Sequence, residues 1–203
     1  MTMKPIYRPL EDITYEEALR IHIMNDRFNR ISMNGRMAYV IMCVEAYLKN
    51  VYPDRDWKLV ASAMWKATNN NWGDWTDLYC GFIPEVLFQY DNYDEDDLGS
   101  SYAEAEFNTL KNLYSGITEG REDDPTDELN YVLNKPLEMA MVYEGTGIGD
   151  GSESVEIINS LEEVLIKHQI ALPDYNKISF SSIEELNGWG NDFDGEFLSI
   201  ILE

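Results

Sequence analysis

The stretch YEGTGIGDGSESVEII, residues 143–158, sets Gly145, Gly147, Gly149 and Gly151 at alternate positions ahead of an apolar-periodic run. A glycine-rich turn that opens a helix can cradle phosphate, because bare amides and the positive end of the helix dipole both face the anion. The details here point elsewhere. A Walker loop ends in Gly-Lys-Ser/Thr, and no lysine lies between Lys135 and Lys167. A dinucleotide fingerprint needs its third glycine or alanine three places after the second, a spacing that Gly149 misses. Glu144, Asp150 and Glu153 would repel a pyrophosphate. The same residues suit a helix entry, with Asp150 or Ser152 as the cap and acids in the first turn.

Metal chemistry is the next possibility. In DNYDEDDLGSSYAEAE, aligning Gly99 with the sixth place of an EF-hand loop puts Asp94 and Asp96 at the first and third places. Leu98 and Ala105 then stand where the fifth and twelfth ligands belong. In GNDFDGEFLSII, Asp192, Asp194 and Gly195 fit the third, fifth and sixth places, but Gly190 and Ile201 occupy the first and twelfth. Both loops lack the ligands that give affinity, and no metal site or cofactor is expected. His22 and His168 are the only histidines, and neither lies in HExxH or beside a cysteine pair. There is no GxSxG motif. Pairs of carboxylates able to cut a glycosidic bond will arise by chance among 38 acids, so no catalytic residue is assigned.

Charge is the strongest signal. The 203-residue chain carries 38 Asp and Glu against 15 Lys and Arg, for a net charge of −23. That excludes non-specific binding to nucleic acid or to an anionic membrane. Residues 1–70 hold ten bases and eight acids, whereas residues 71–203 hold five and thirty. The front third is nearly neutral and the remainder strongly anionic, as expected of a surface that faces a basic partner or of one kept soluble by self-repulsion. No run approaches 18 apolar residues, and the first 17 residues contain no apolar signal-peptide region. Cys43 and Cys80 sit in apolar surroundings without a CxxC, so reduced, buried thiols in a cytoplasmic protein are expected.

The elements that must position these residues read as helices. Thr14 and Glu17 form a capping-box pattern, followed by an apolar stripe at Ala18, Ile21, Met24, Phe28 and Ile31 that Asn34-Gly35 would end. RMAYVIMCVEAYLKN, residues 36–50, is apolar on more than one side and predicts a central helix. Pro53 breaks the chain, Asp54 is a candidate cap, and Trp57, Val60, Ala61, Met64, Trp65 and Thr68 continue the period. Three helices with short joints predict antiparallel neighbours around a Met- and Trp-rich core.

Gly73, Gly81 and Pro84 divide residues 69–90 into two short helices. DNYDEDDLGSS reads as a loop, and Ala103, Phe107, Leu110 and Tyr114 mark another helix. Asp124-Pro125 would start a helix that Pro136 interrupts. Val155, Ile158, Leu161, Val164, Leu165 and His168 define an amphipathic helix, and an imidazolium near its end complements the dipole. The tail, residues 175–203, mixes a short extended piece, a helical turn, a Gly-rich loop and a last apolar run, either strand or short helix. No repeat or linker divides the chain, so a single all-α domain spanning 1–203 is expected.

Acids interleaved with aromatics carry the functional expectation. WGDWTDLY, YDNYDEDDLGSSY and NGWGNDFDGEF set Trp or Tyr beside Asp in predicted loops, where recognition residues concentrate. Rings supply contact area at low entropy cost, and carboxylates attract Lys and Arg. Asp91, Tyr93, Asp94, Glu95, Asp96, Asp97 and Tyr102, with Asp192 and Asp194, are the expected partner-binding residues. Trp72, Trp75 and Trp189 are expected to point inward and anchor these loops.

A short, very acidic, mostly helical chain with phrases such as WGDW and NGWGNDFDGE resembles the immunity proteins of bacterial polymorphic-toxin and contact-dependent inhibition systems. The resemblance is one of overall character, and no family residue carries over. It implies a protein that binds and neutralises a basic toxin domain, often a nuclease. The alternatives are a hydrolase or transferase that uses carboxylates with a divalent metal, and a helical adaptor whose acidity serves solubility.

Overall fold

Ser32 starts the helix around which the rest of the chain is arranged. In the computed structural model, which describes residues 27–69, 72–118, 127–142 and 151–203, the Ser32 hydroxyl accepts the Gly35 amide and caps α1, Met33–Val51. Every residue of α1 from Met33 to Leu48 is buried, so a helix apolar on more than one side, with Asn34, Arg36 and Glu45 buried in it as polar groups, occupies the middle of the bundle. Among the described residues seven further α-helices follow: α2 (Lys58–Trp65), α3 (Trp72–Cys80), α4 (Pro84–Leu87), α5 (Glu95–Leu98), α6 (Glu104–Tyr114), α7 (Glu128–Val142) and α8 (Ser152–Lys167). The described residues contain no strand, only a single antiparallel bridge between Ile31 and Ser182, and the fold is all-α. No described helix is long and apolar enough to cross a membrane.

α1 packs most extensively on α8 and then on α7, which also pack on each other, while α3 lies on α7 and α4 on α6. The central helix therefore finds its main neighbours far along the chain rather than in the next helix. The capping box at Thr14 and Glu17, His22, Asp124-Pro125 and Gly145 to Gly149 fall outside the described residues, as does most of the predicted first helix.

Several expectations are corrected. Asn34-Gly35 does not end a helix but forms the first turn of α1. Asn34 donates its side-chain amide to Thr68 O and Asn191 O, both at 3.1 Å. Gly35 is needed for close approach, since a Cβ there would lie 2.6 Å from Ile31 Cγ2 and 2.9 Å from Ser181 Cβ. Pro136 sits inside α7 without ending it. The proline forfeits one amide donor, but Leu129, Val132 and Leu133 before it and Met139 and Ala140 after it are all buried, and their packing holds the helix through it. Asp54 caps nothing; Trp57 stands at the start of α2, and Asp56 accepts the Lys58 amide. Gly151 occupies the cap position of α8 and Ser152 is the helix's first residue, while Asp150, the other expected cap, lies outside the described residues. The tail contains no extended strand: it forms 3-10 turns at Tyr175–Ile178, Glu185–Gly188 and Gly195–Leu198. The last apolar run thus opens in a short 3-10 helix, one of its two expected alternatives, and contains no strand.

Buried polar groups join the elements. Arg36, 2% exposed, donates from Nε to Ile31 O (3.1 Å), from Nη2 to Phe28 O (2.9 Å), and from Nη1 to Gly151 O (2.9 Å) and Ser154 Oγ (2.6 Å). Glu45, also on α1, accepts Trp65 Nε1 (2.8 Å), Ser199 Oγ (2.6 Å) and Ile200 N (2.7 Å). Glu162 on α8 accepts the Tyr39 hydroxyl at 2.6 Å and pairs with Arg27. Glu128, at the start of α7, accepts Tyr47 and pairs with Lys167 and His168 at the end of α8.

These carboxyls make acid stability testable. Burial pushes Glu45 and Glu162 above the ordinary carboxyl value of 4.5, despite the hydrogen bonds each accepts. Just above that value the folded protein then holds more protons than the unfolded chain, so stability falls as pH rises through this window. Relief of the −23 self-repulsion acts in the same direction. Burial also acts to raise Glu128, but hydrogen bonds from Lys167 and His168 outweigh it and hold the group below 4.5, so its contribution is lost only in stronger acid. The calorimetric unfolding temperature is expected to rise as pH is lowered from about 7 to about 5. A fall across that range would contradict the assignment.

Candidate functional site

The segment from Tyr90 to Tyr102 carries the densest run of expected partner-binding residues, and an aromatic ladder roots it. Trp75 stacks on Tyr79 at 4.8 Å and Tyr79 on Phe82 at 6.3 Å, with nearly parallel rings. Phe82 meets Tyr102 edge-on at 5.2 Å, and Phe107 contacts both Tyr102 and Tyr93. Each phenol in this series has a polar partner, as buried hydroxyls require. Tyr79 donates to Leu133 O (2.9 Å), Tyr102 to Gly81 O (2.8 Å) and Tyr93 to Tyr102 O (3.0 Å). Burial raises the pKa of Tyr79 and Tyr102, so both stay neutral donors.

Tyr102 is therefore corrected from a partner-facing residue to a packing one, being 5% exposed with its hydroxyl turned inward. Tyr93 is half-buried and belongs to the same scaffold. Asp91, Asp94, Glu95, Asp96 and Asp97 are all exposed. Two of them also shape the segment. Asp94 caps α5 by accepting the Asp96 amide at 3.0 Å, so the predicted loop contains a helical turn, and Asp97 accepts the Tyr90 hydroxyl at 3.2 Å. Asp91, Glu95 and Asp96 form no ion pair with a described residue.

Lys111 lies behind this segment, with its ammonium over the Phe88 and Phe107 rings at 4.7 and 5.3 Å and donating to Tyr90 O. Desolvation lowers its pKa, and the nearby Asp91 opposes the shift. Its ammonium is thus committed to the backbone and the rings rather than laid across the acids.

The second expected group, Asp192 and Asp194, is exposed but rooted on other elements. The Phe193 amide donates to Thr68 O at 2.9 Å, the Gly195 amide to Thr68 Oγ1 at 3.1 Å, and Asp194 caps the turn at Gly195–Leu198. Asp91 to Asp97 are attached through α4 and α6, and Asp192 and Asp194 through α1 and the turn at Lys66–Asn69. The packing ties the two groups to separate supports.

The tryptophans pack. Trp75 is buried and donates to Ala63 O at 2.9 Å. Trp72 and Trp189 are half-buried, meet edge-on at 5.6 Å, and Trp72 donates to Ala67 O. Cys43 is a buried free thiol and Cys80 a half-buried one. Among the described residues no three His, Cys, Asp or Glu side chains converge on a position able to hold a metal ion. One cleft of about 340 Å³, lined by Met42, Glu45, Asn50, Ile170, Lys177 and Ile200 among others, separates α1 from the tail, and its carboxyl is already saturated by Trp65, Ser199 and Ile200.

Sequence reasoning missed the exposure of Phe180 and Phe197, which are 49% and 67% accessible. Neither lies in a periodic element, so nothing in the pattern separated them from core residues. No protein-family model, curated protein or solved structure matches the chain.

Proposed function

We propose that the chain is a binding protein that sequesters and neutralises a basic protein, a nuclease-type toxin domain of a bacterial competition system. The observation that carries this reading is the set of carboxylates from Asp91 to Asp97, exposed on a segment whose backbone is held by Tyr93, Tyr102 and the ladder beneath them. Fixed like charges concentrate the field and steer an oppositely charged partner, and a rooted loop loses little freedom on binding. The carboxylates would stand where nucleic-acid phosphates sit, so occupancy blocks the partner's groove.

The test is a titration of the chain against the basic product of the adjacent gene, read by calorimetry and by inhibition of that product's activity. Affinity is expected to fall at least tenfold between about 50 and about 300 mM salt. The triple variant Asp91→Asn, Glu95→Gln, Asp96→Asn keeps the Asp94 cap and the Tyr90–Asp97 bond. It should therefore unfold like the native chain while binding about tenfold or more weakly with a shallower salt dependence. Unchanged affinity in the triple variant would sink the assignment of this segment, and no complex with the native chain at low salt would count against the function itself.

A further inference from the structure

Three phenylalanines from separate parts of the tail meet at the surface. Phe180 contacts Phe193 edge-on with ring centroids 5.0 Å apart, Phe180 and Phe197 are 6.1 Å apart, and Phe193 and Phe197 6.4 Å. Phe180 and Phe197 remain 49% and 67% accessible, and Phe193 is half-buried. A contiguous aromatic cluster exposed on an otherwise highly charged chain is not required by the core, which already buries Trp57, Trp65 and Trp75.

The backbone on either side of each ring is fixed. Ile178 and Ser181 flank Phe180 and are buried, with Ser181 Oγ hydrogen-bonded to Ser32 Oγ at 2.6 Å and Ser181 O accepting the Ser32 amide at 3.0 Å. Phe193 is held through its own amide on Thr68 O. Phe197 lies between Gly195, which sits against the Trp65 ring, and the buried pair Leu198 and Ser199. Just upstream, Leu186 and Asn187 adopt positive φ of 43° and 56°, with Leu186 62% exposed. A γ-branched residue in the left-handed region with its side chain in solvent stabilises no packing of its own, so the surrounding contacts dictate the path of this loop. The rings are presented on a rigid base rather than on a loose end.

We infer that Phe180, Phe193 and Phe197 form the apolar centre of a docking surface for a cationic amphipathic protein segment, whose Lys or Arg side chains pair with the exposed Asp192, Asp194 and Glu196. The partner's charge follows from this rim. Two of these acids flank Phe193, the third precedes Phe197, and all three are exposed. A second copy of the chain would bring the same acids face to face, and each copy carries −23. A central aromatic anchor with a charged rim is the anatomy of a specific interface. The inference rests on reading the chain as a binder of a basic protein and adds a second contact region to the one at Asp91 to Asp97.

The probe is a short fluorescent helix-forming peptide of leucine and lysine, compared with a lysine–serine peptide of equal charge. Fluorescence anisotropy is expected to show the leucine-containing peptide binding the native chain at least tenfold more tightly than the serine control. The double variant Phe180→Ser, Phe197→Ser should abolish that difference while lowering the unfolding temperature by only a few degrees, since about half of the Phe180 ring and most of the Phe197 ring are already in solvent. If this variant unfolds, Asp192→Asn, Glu196→Gln provides the second arm and should weaken the peptide complex and flatten its salt dependence. Equal binding of the leucine peptide to the native chain and the aromatic variant overturns the inference. So does a native chain that is dimeric in light scattering and becomes monomeric on Phe197→Ser, which would identify a second copy as the occupant. If the adjacent-gene product binds native and aromatic variants alike, the docking surface fails while the proposed function stands; if it binds neither and the peptide result holds, the reverse is true.

Discussion

Replacing Arg36 by methionine is expected to lower stability by about 3 kcal/mol or more, the largest single effect on this fold short of a core deletion. Methionine keeps much of the length of the side chain and removes the guanidinium, so the loss reads out its hydrogen bonds rather than a cavity. Arg36 sits in the first turn of α1 and reaches Ile31 O, Phe28 O, Gly151 O and Ser154 Oγ at once. It thereby joins the start of α1, the chain before it and the start of α8. Hydrogen bonds to a charged group contribute about 1.5–3 kcal/mol each in favourable cases. The sum is smaller than that product, because Phe28 O also accepts the Ile31 amide and Gly151 O also accepts Ser154 Oγ and the Val155 amide. Desolvation of the guanidinium is also relieved on its removal. A fall of roughly 10 °C in unfolding temperature corresponds to this loss in a chain of this size. Arg36→Lys should fall between native and methionine, since an ammonium keeps the charge but cannot reach three directions in one plane. A methionine variant within about 1 kcal/mol of native in urea unfolding would show that the guanidinium is not a keystone.

Glu45→Ala is the second large effect, at about 2–4 kcal/mol, and it should be localised. The carboxylate accepts three donors, from Trp65 Nε1, Ser199 Oγ and Ile200 N. Truncation leaves the indole N–H in the core without its acceptor, opens a void, and frees the last residues of the tail. Two effects limit the cost. The Ser199 hydroxyl can rotate, and Ile200 lines the 340 Å³ cleft, so water can reach its amide. Relief of the burial that raises Glu45's own pKa adds a third offset. The unsatisfied indole and the lost packing outweigh these, because both are inside the core. Hydrogen exchange should show the amides of Ile200, Ile201 and Leu202 losing protection well beyond the global change, since Ser199 Oγ, which accepts the last two, loses its own anchor. Uniform loss across the whole molecule would mean that the carboxylate supports the core generally and does not latch the tail. Because Phe197 lies two residues before Ser199, the same variant should also loosen the aromatic cluster.

The sequence by itself determined the helical class, the central helix and the charge. Residues 36–50 are apolar on more than one side, and the burial of their apolar side chains from Met37 to Leu48 follows from that pattern. The split between α3 and α4, the period of α6 and the amphipathic α8 were equally legible, because glycine, proline and a 3.6-residue repeat act locally. The exposed acids from Asp91 to Asp97 were readable for the same reason: a run of five carboxylates in seven residues cannot be buried.

Only the tertiary structure decided the rest. Asn34-Gly35 reads as a stop from its residue types, yet Ser32 and the tail turn it into a start. Pro136 reads as a break, and core packing on both sides carries the helix through it. Tyr102 and Tyr93 look alike between acids, and only the position of Gly81 and of the ladder sends one fully inward. Glu45 and Glu162 were two acids among 38 until long-range partners, more than a hundred residues away for Ser199 and Tyr39, made their burial possible. Local chemistry is written in neighbouring residues and can be read there. Whether a polar or aromatic side chain faces solvent or core depends on donors and rings brought from distant segments, which no local pattern encodes.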